Sequence, residues 1–274
     1  MTDYKYLQIR REDTVLVATM SNPPKNFLNA PMVEELHALV DAVAGDDAVR
    51  VLVLTGGVDG IFITHYDVGE LVTLSDAVRA RPAAAAPPSD APPARPELHS
   101  LNRLTMKLAA LPQPVIAAIN GTAMGGGCEL ALGCDFRYIA RGGSFGLPEV
   151  RVGILPGAGG TQRMARLLGT AKALELMLLG NAVDADTAER IGLAHRAVDA
   201  ERLMPEVMAL ASELASRPRL SIALIKQCVL RGIEMPLEDA LRFEQDAFMQ
   251  TVRSEDASRL MRAYLKSDRP LNEQ

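Results

Sequence analysis

Apolar residues along this chain follow two patterns, and the change between them divides it. In the first part, short β-branched apolar runs recur at residues 14–20, 49–54, 115–119 and 136–140. Runs this brief are too short for a helix that must bury one face, and they predict strands. Helical patterning lies between them. Its clearest stretch covers about 31–43, with Asn29 as the cap, Pro31 in the first turn, and Val33, Leu36, Val40 and Val43 on one face. Strands alternating with helices predict an α/β core. From Thr161 onward the strand signal largely stops. Helical runs then cover about 161–168, 171–179, 185–191, 201–215, 220–231, 237–252 and 255–266. A helical end of this kind exposes apolar faces that need a partner.

Composition narrows the class. At 274 residues, 48% hydrophobic and 23% charged, the chain can bury a sizeable core as one large domain or as a domain with an appendage. A net charge of −5 argues against nucleic-acid or anionic-membrane partners. The three cysteines, Cys128, Cys134 and Cys228, have no metal-ligand spacing, which fits a reducing cytoplasm. The first residues carry neither an apolar signal core nor arginine-rich transit character, and no apolar run reaches membrane-spanning length. One segment belongs to no regular element. Residues 82–96 read PAAAAPPSDAPPARP and hold six of the 17 prolines. This composition favours extended, solvated backbone, either as a loop expansion or as a lid.

The chemistry gathers around Asn120-Gly-Thr-Ala-Met-Gly-Gly-Gly-Cys-Glu-Leu130. Glycines 125–127 follow a buried-strand pattern and enter a helix, which leaves free backbone N–H groups beside the carboxylate of Glu129. Such donors, aimed at developing negative charge near an acid or base, suit enolate chemistry. Close helix–strand packing would explain the triplet as well. The spacing fits neither phosphate-loop pattern. Downstream, Leu147-Pro148-Glu149 supplies a second carboxylate, and Pro156-Gly-Ala-Gly-Gly160-Thr-Gln-Arg163 opens another helix.

Together these segments resemble the crotonase (enoyl-CoA hydratase/isomerase) superfamily. The resemblance runs from Asn22-Pro-Pro-Lys-Asn-Phe-Leu-Asn-Ala30 to Ala263-Tyr-Leu-Lys-Ser-Asp-Arg-Pro270. It implies a crotonase-type ββα spiral core over 1–195, containing the 82–96 insertion, and a C-terminal helical trimerisation region over 196–274. It implies hydration of a 2-enoyl-CoA, with Glu129 and Glu149 as catalytic residues. Isomerisation, thioester hydrolysis or silent CoA binding are the alternatives. The oxyanion-hole donors implied are the backbone N–H groups of Tyr66 and Gly126. Coenzyme A contacts are implied at Lys25, Phe27, Leu28, Thr64, His65, Asp67 and Gly125. No metal, redox group or other cofactor is implied, and the partners are the acyl-CoA substrate and further copies of the chain, in a homotrimer or a dimer of trimers.

The sequence departs from the family in the second donor segment. The usual Ala-Gly-Ala is here Thr64-His65-Tyr66, and Gly69 stands where relatives often carry a lysine near the nucleotide phosphates. Glycine ordinarily gives conformational freedom at the position of His65. By residue type, Cys128 reads as a small buried hydrophobe, His65 as a locally packed ring, Asp67 as a helix cap and Asp135 as structural.

Overall fold

The computed structural model describes residues 4–80 and 97–271. The stretch 82–96, read above as a solvated loop or a lid, lies outside them. Leu7–Glu12 (β1) and Val15–Met20 (β2) form an antiparallel hairpin, with Asp13 at a φ of 51° in its turn. Ala30–Gly45 (α1) starts where the sequence predicts, because the Asn29 side chain accepts from the Met32 N–H at 3.0 Å.

From there the chain repeats one unit: a strand in one sheet, a three-residue strand in a second sheet, then helix or turn. Val51–Gly56 (β3) and Ile61–Ile63 (β4) lead to Val68–Arg79 (α2) and Ser100–Ala110 (α3). Val115–Ile119 (β5) and Thr122–Met124 (β6) lead to Gly126–Leu132 (α4). Phe136–Ala140 (β7) and Ser144–Gly146 (β8) lead through a 3-10 turn at Glu149–Val152 to Gly160–Leu168 (α5) and Thr170–Leu179 (α6). Ala182–Asp184 (β9), Ala185–Arg190 (α7) and Arg196–Val198 (β10) precede four helices. These are Leu203–Ser216 (α8), Arg219–Gly232 (α9), Leu237–Val252 (α10) and Glu255–Tyr264 (α11).

The first sheet has the order β1-β2-β3-β5-β7-β10 and is parallel except for the β1–β2 hairpin. The second has the order β4-β6-β8-β9, with only β8–β9 antiparallel. This is the α/β architecture and ββα winding that the resemblance implies.

The continuous apolar runs have a simple cause. Along β3, Val51 and Val53 face one side while Leu52 and Leu54 face the other, and both sides are covered. Leu52, Leu54, Ala117 and Ile119 join Leu36 and Val40 of α1 and Leu104 and Leu108 of α3 in the larger core. On the opposite face Val51, Val53, Ile116 and Ala118 pack against Leu203, Val207 and Ala211 of α8. Beyond α8, Lys226 ties α9 to the body. Its buried ammonium lies 2.7 Å from Asp135 Oδ2 and donates to the carbonyls of Leu108 and Gln113 at 3.1 and 3.2 Å. Asp135 also accepts from the Val115 N–H at 2.7 Å, which is the structural role its residue type suggests.

Candidate active site

The glycine triplet does three different things. The Gly125 N–H donates to the Gly146 carbonyl at 3.0 Å, which pins the loop to β8. Gly125 has a φ of 52° and a ψ of −123°, a region that side chains disfavour, and a Cβ there would lie 3.2 Å from Glu149 Oε1. At Gly126 a Cβ would lie 3.2 Å from Tyr66 Cβ and 3.4 Å from Tyr66 N. At Gly127 it would meet Ile63 Cβ at 2.6 Å, so the third glycine serves helix–strand packing.

The facing segment is held by an isolated parallel bridge between Leu28 and Tyr66. The Leu28 N–H donates to His65 O at 3.0 Å, and the Asp67 N–H donates to Leu28 O at 2.8 Å. In parallel pairing the residue between two such bonds turns its own N–H to the opposite side. For Tyr66 that side is Gly126, the first residue of α4, whose own N–H has no acceptor within its helix. The main chains of Tyr66 and Gly126 therefore lie side by side.

Glycine's freedom is not needed at His65. Asp13 and Asn26 are the only non-glycine residues at positive φ among those described. His65 Nδ1 lies 2.7 Å from Tyr66 O, and its ring sits 4.7 Å from that of Phe27. The Thr64 N–H donates to Asn26 O at 3.3 Å, and its hydroxyl donates to Lys25 O. Lys25, Phe27 and Leu28 are thus drawn against Thr64, His65 and Asp67. Within this cluster Lys25 is exposed, Leu28 is fully buried in the core, and Asp67 caps α2 by accepting from the Gly69 N–H at 2.7 Å.

The two carboxylates have contrasting surroundings. Glu129, buried on α4, takes the N–H groups of Ala158 and Gly160 on one oxygen, Oε1, at 2.7 and 2.9 Å. Burial pushes its carboxyl above the usual range, and the two amides pull it part of the way back. Glu149 opens the 3-10 turn, and its buried Oε2 has no hydrogen-bond partner. Burial pushes the Glu149 carboxyl up to about 7, its own backbone N–H pulls it part of the way back, and the charge of Glu129 adds a smaller rise. A carboxyl poised there can give or take a proton at neutral pH.

Three contributors were not anticipated from the sequence. Asn26, fully buried at a φ of 50°, donates to the carbonyls of Met20 and Phe62 at 3.1 and 2.6 Å, and this sets the 22–28 loop against β4. The Ala158–Gly160 turn holds Glu129; its glycine-rich signal suggests only a pocket wall and a helix start. Glu70 accepts from the Tyr66 hydroxyl at 2.8 Å. A groove of about 990 Å³ lies elsewhere, between α3, α5 and α9, lined by Met106, Phe136, Leu167, Ile225 and Lys226 among others, and includes none of the site residues above. Among the described residues there is no His/Cys/Asp/Glu cluster suited to a metal ion and no helix long and apolar enough to cross a membrane.

Known proteins are similar to this chain across nearly their whole length. The chain is 36% identical over 265 residues to a crotonyl-CoA hydratase of Syntrophomonas wolfei, covering 96% of each. It is 33% identical over 260 residues to a short-chain-enoyl-CoA hydratase of Clostridium acetobutylicum, covering 94% of each. Among solved structures, an enoyl-CoA hydratase subunit I of Geobacillus kaustophilus superposes with a TM-score of 0.85 at 35% identity over 98% of both chains. The family model for enoyl-CoA hydratase/isomerase matches residues 10–274, so the match takes in both glutamates, both facing amides and the C-terminal helices. On sequence and fold alike, the chain belongs to the enoyl-CoA hydratase/isomerase family.

Proposed function

We propose that this protein adds water across the double bond of a 2-enoyl-CoA to give a 3-hydroxyacyl-CoA. The observation that carries the reading is the convergence of two carboxyls, both shifted upward, on the loop that presents the Gly126 amide to Tyr66. The names of its relatives point the same way.

The thioester carbonyl sits between the Tyr66 and Gly126 N–H groups. Glu129, ionised and oriented by the Ala158 and Gly160 amides, takes a proton from water as the water oxygen bonds to the β-carbon. The electron pair of the double bond moves onto the thioester oxygen as an enolate, where a lost donor typically costs about 2.7–4 kcal/mol. Glu149, protonated at the start, delivers its proton to the α-carbon as the enolate collapses. Exchange with solvent then returns the proton from Glu129 and restores the one on Glu149. Hydration moves no electrons to or from an acceptor, so the reaction calls for no redox cofactor, and the amide pair supplies the polarisation a metal would otherwise give. Main chain around Lys25–Leu28 and Thr64–Asp67 holds the coenzyme A moiety, with Gly125 flooring the site.

The C-terminal helices support assembly into a homotrimer or a dimer of trimers in the cytoplasm, without nucleic-acid or membrane partners. Ile225, Val229, Leu237 and Phe248 are more than half exposed, and apolar side chains in such number need cover.

The test is an absorbance assay with crotonyl-CoA. Loss of the enoyl band with formation of 3-hydroxybutyryl-CoA is the expected result. Binding without turnover would leave a CoA-binding protein, and release of free CoA would make it a thioester hydrolase.

A further inference from the structure

We propose that Glu70 is a positioning residue: its carboxylate ties the Tyr66 phenol to the start of α1 and so fixes the peptide whose N–H forms one side of the oxyanion hole. The proposal rests on the hydratase reading above for the meaning of that hole.

The need for such a tie follows from the local backbone. Strand β4 ends at Ile63, and Tyr66 lies beyond it, in an isolated bridge to Leu28 outside the sheet. The Leu28 N–H holds this peptide by its His65 carbonyl at 3.0 Å, which leaves rotation about that one bond to be fixed. The side chain supplies a second anchor. Glu70 Oε2 accepts from Tyr66 Oη at 2.8 Å and from the Ala30 N–H at 3.0 Å. Ala30 is the first residue of α1, two positions beyond Leu28. The contacts close a ring: Tyr66 main chain to Leu28, along the chain to Ala30, through the carboxylate of Glu70, and back through the phenol to Tyr66.

Glu70 is free for this work. It is half-buried, and among the described residues no lysine or arginine forms a salt bridge with it. It stands in the first turn of α2, where a carboxylate is favoured, yet it reaches to the start of α1 and thus joins two helix N-termini around one tyrosine. The phenol is suited to a strut and unsuited to proton delivery, because burial and then the bond to Glu70 raise its pKa. Its ring is further steadied edge-on against His99, with centroids 6.0 Å apart. A bulky residue at the donor position is thereby turned into a brace for its own backbone.

A simple cap of α1 by Glu70 would stabilise the fold without touching the hole, and a double-mutant cycle separates the two. Steady-state kinetics on crotonyl-CoA are measured for Tyr66→Phe, Glu70→Ala, the double variant and Glu70→Gln. Tyr66→Phe and Glu70→Ala should each lower kcat by about threefold to tenfold with KM changed less than about twofold. The double variant should be no slower than Glu70→Ala alone, since both changes break one connection. Glu70→Gln, which keeps an acceptor, should recover most of the loss. Polarisation is read directly from the absorption band of bound cinnamoyl-CoA, whose conjugated thioester moves to longer wavelength as its carbonyl is polarised. The band should shift less in Tyr66→Phe and Glu70→Ala than in the wild type. Multiplicative losses, or variants with lower Tm but unchanged kcat and unchanged band, would overturn the proposal. If the wild type shifts the band yet does not hydrate crotonyl-CoA, the hydratase reading fails, and the band in the variants still decides the role of Glu70. Should Glu70→Ala not fold, Tyr66→Phe and Glu70→Gln give the same comparison.

Discussion

The two sides of the proposed oxyanion hole reach the same end by opposite means. On the α4 side the donor is exposed by removing side chains: Gly125 and Gly126 leave the amide bare, and a single methyl at 126 would press on Tyr66. On the other side the donor belongs to a tyrosine flanked by Thr64 and His65, and each of the three side chains is engaged elsewhere. Thr64 is bound to Lys25 O, His65 packs on Phe27, and Tyr66 is bound to Glu70. Backbone catalysis tolerates either strategy because the reacting group is the same in every residue but proline. What differs is the failure mode. The glycine side should fail by obstruction and the tyrosine side by looseness.

The largest effects should come from the carboxylates that both sides frame. Glu129→Gln and Glu149→Gln are each expected to lower kcat by at least about a hundredfold, in keeping with general acid–base contributions of about 10²–10⁴. Binding of an unreactive acyl-CoA should change little. Stopped-flow hydration together with calorimetric binding checks this, and wild-type-like turnover in either variant would remove that residue from the chemistry.

The contrast between the two sides is tested by smaller changes. Gly126→Ala should lower kcat by about tenfold to a hundredfold, approaching the loss of one oxyanion donor. Tyr66→Ala should cost about tenfold or less, because alanine keeps the N–H and loses only the brace. The two positions should also interact in a particular way. The clash from residue 126 is with Tyr66 Cβ at 3.2 Å, so Tyr66→Ala cannot relieve it while Tyr66→Gly can. Kinetics of the two double variants decide this: partial rescue of Gly126→Ala by Tyr66→Gly alone supports obstruction, and equal rescue by both rejects it.

The same contrast explains what the sequence discloses. Periodic helices are legible almost to the residue, as in Leu237–Val252, and so is a side-chain cap such as Asn29. Strands β2, β3, β5 and β7 show as apolar runs because both faces are covered. The second sheet is built wholly from three-residue strands, too short to carry a period, and β1 is half exposed with a polar face, LQIRRE, so neither stands out. At the site, the glycine side is visible because absent side chains leave a motif. On the tyrosine side the donor is found by resemblance but its brace is not, since the Glu70–Ala30 contact spans 40 residues and no local pattern encodes it. Asn26 has a subtler sign, being a residue type that tolerates a left-handed turn. Only knowledge of the partners it satisfies gives that sign meaning.

The smallest effect, and the most diagnostic of how the carboxylates are tuned, concerns stability rather than rate. The folded-state pKa of Glu149 is raised from an ordinary carboxylate value to about 7, chiefly by burial. Between those limits the folded state holds a proton that the unfolded chain has lost. Stability therefore falls as pH rises through this window, and above it the full cost of burying the charge is present. Glu149→Gln removes the charge while keeping the shape. Its Tm should exceed that of the wild type at pH 8, by about 2–4 °C for each kcal/mol relieved in a chain of this size, and the two should converge only below about pH 4.5, the unfolded-state value. Glu129→Gln should show a weaker gain or a loss, because Glu129 Oε1 accepts two buried amides that an amide oxygen satisfies less strongly. Thermal melts across that pH range give the answer. A gain at Glu149 that is independent of pH would mean that something other than the buried charge sets the cost, and the proton delivered to the α-carbon would then need another source.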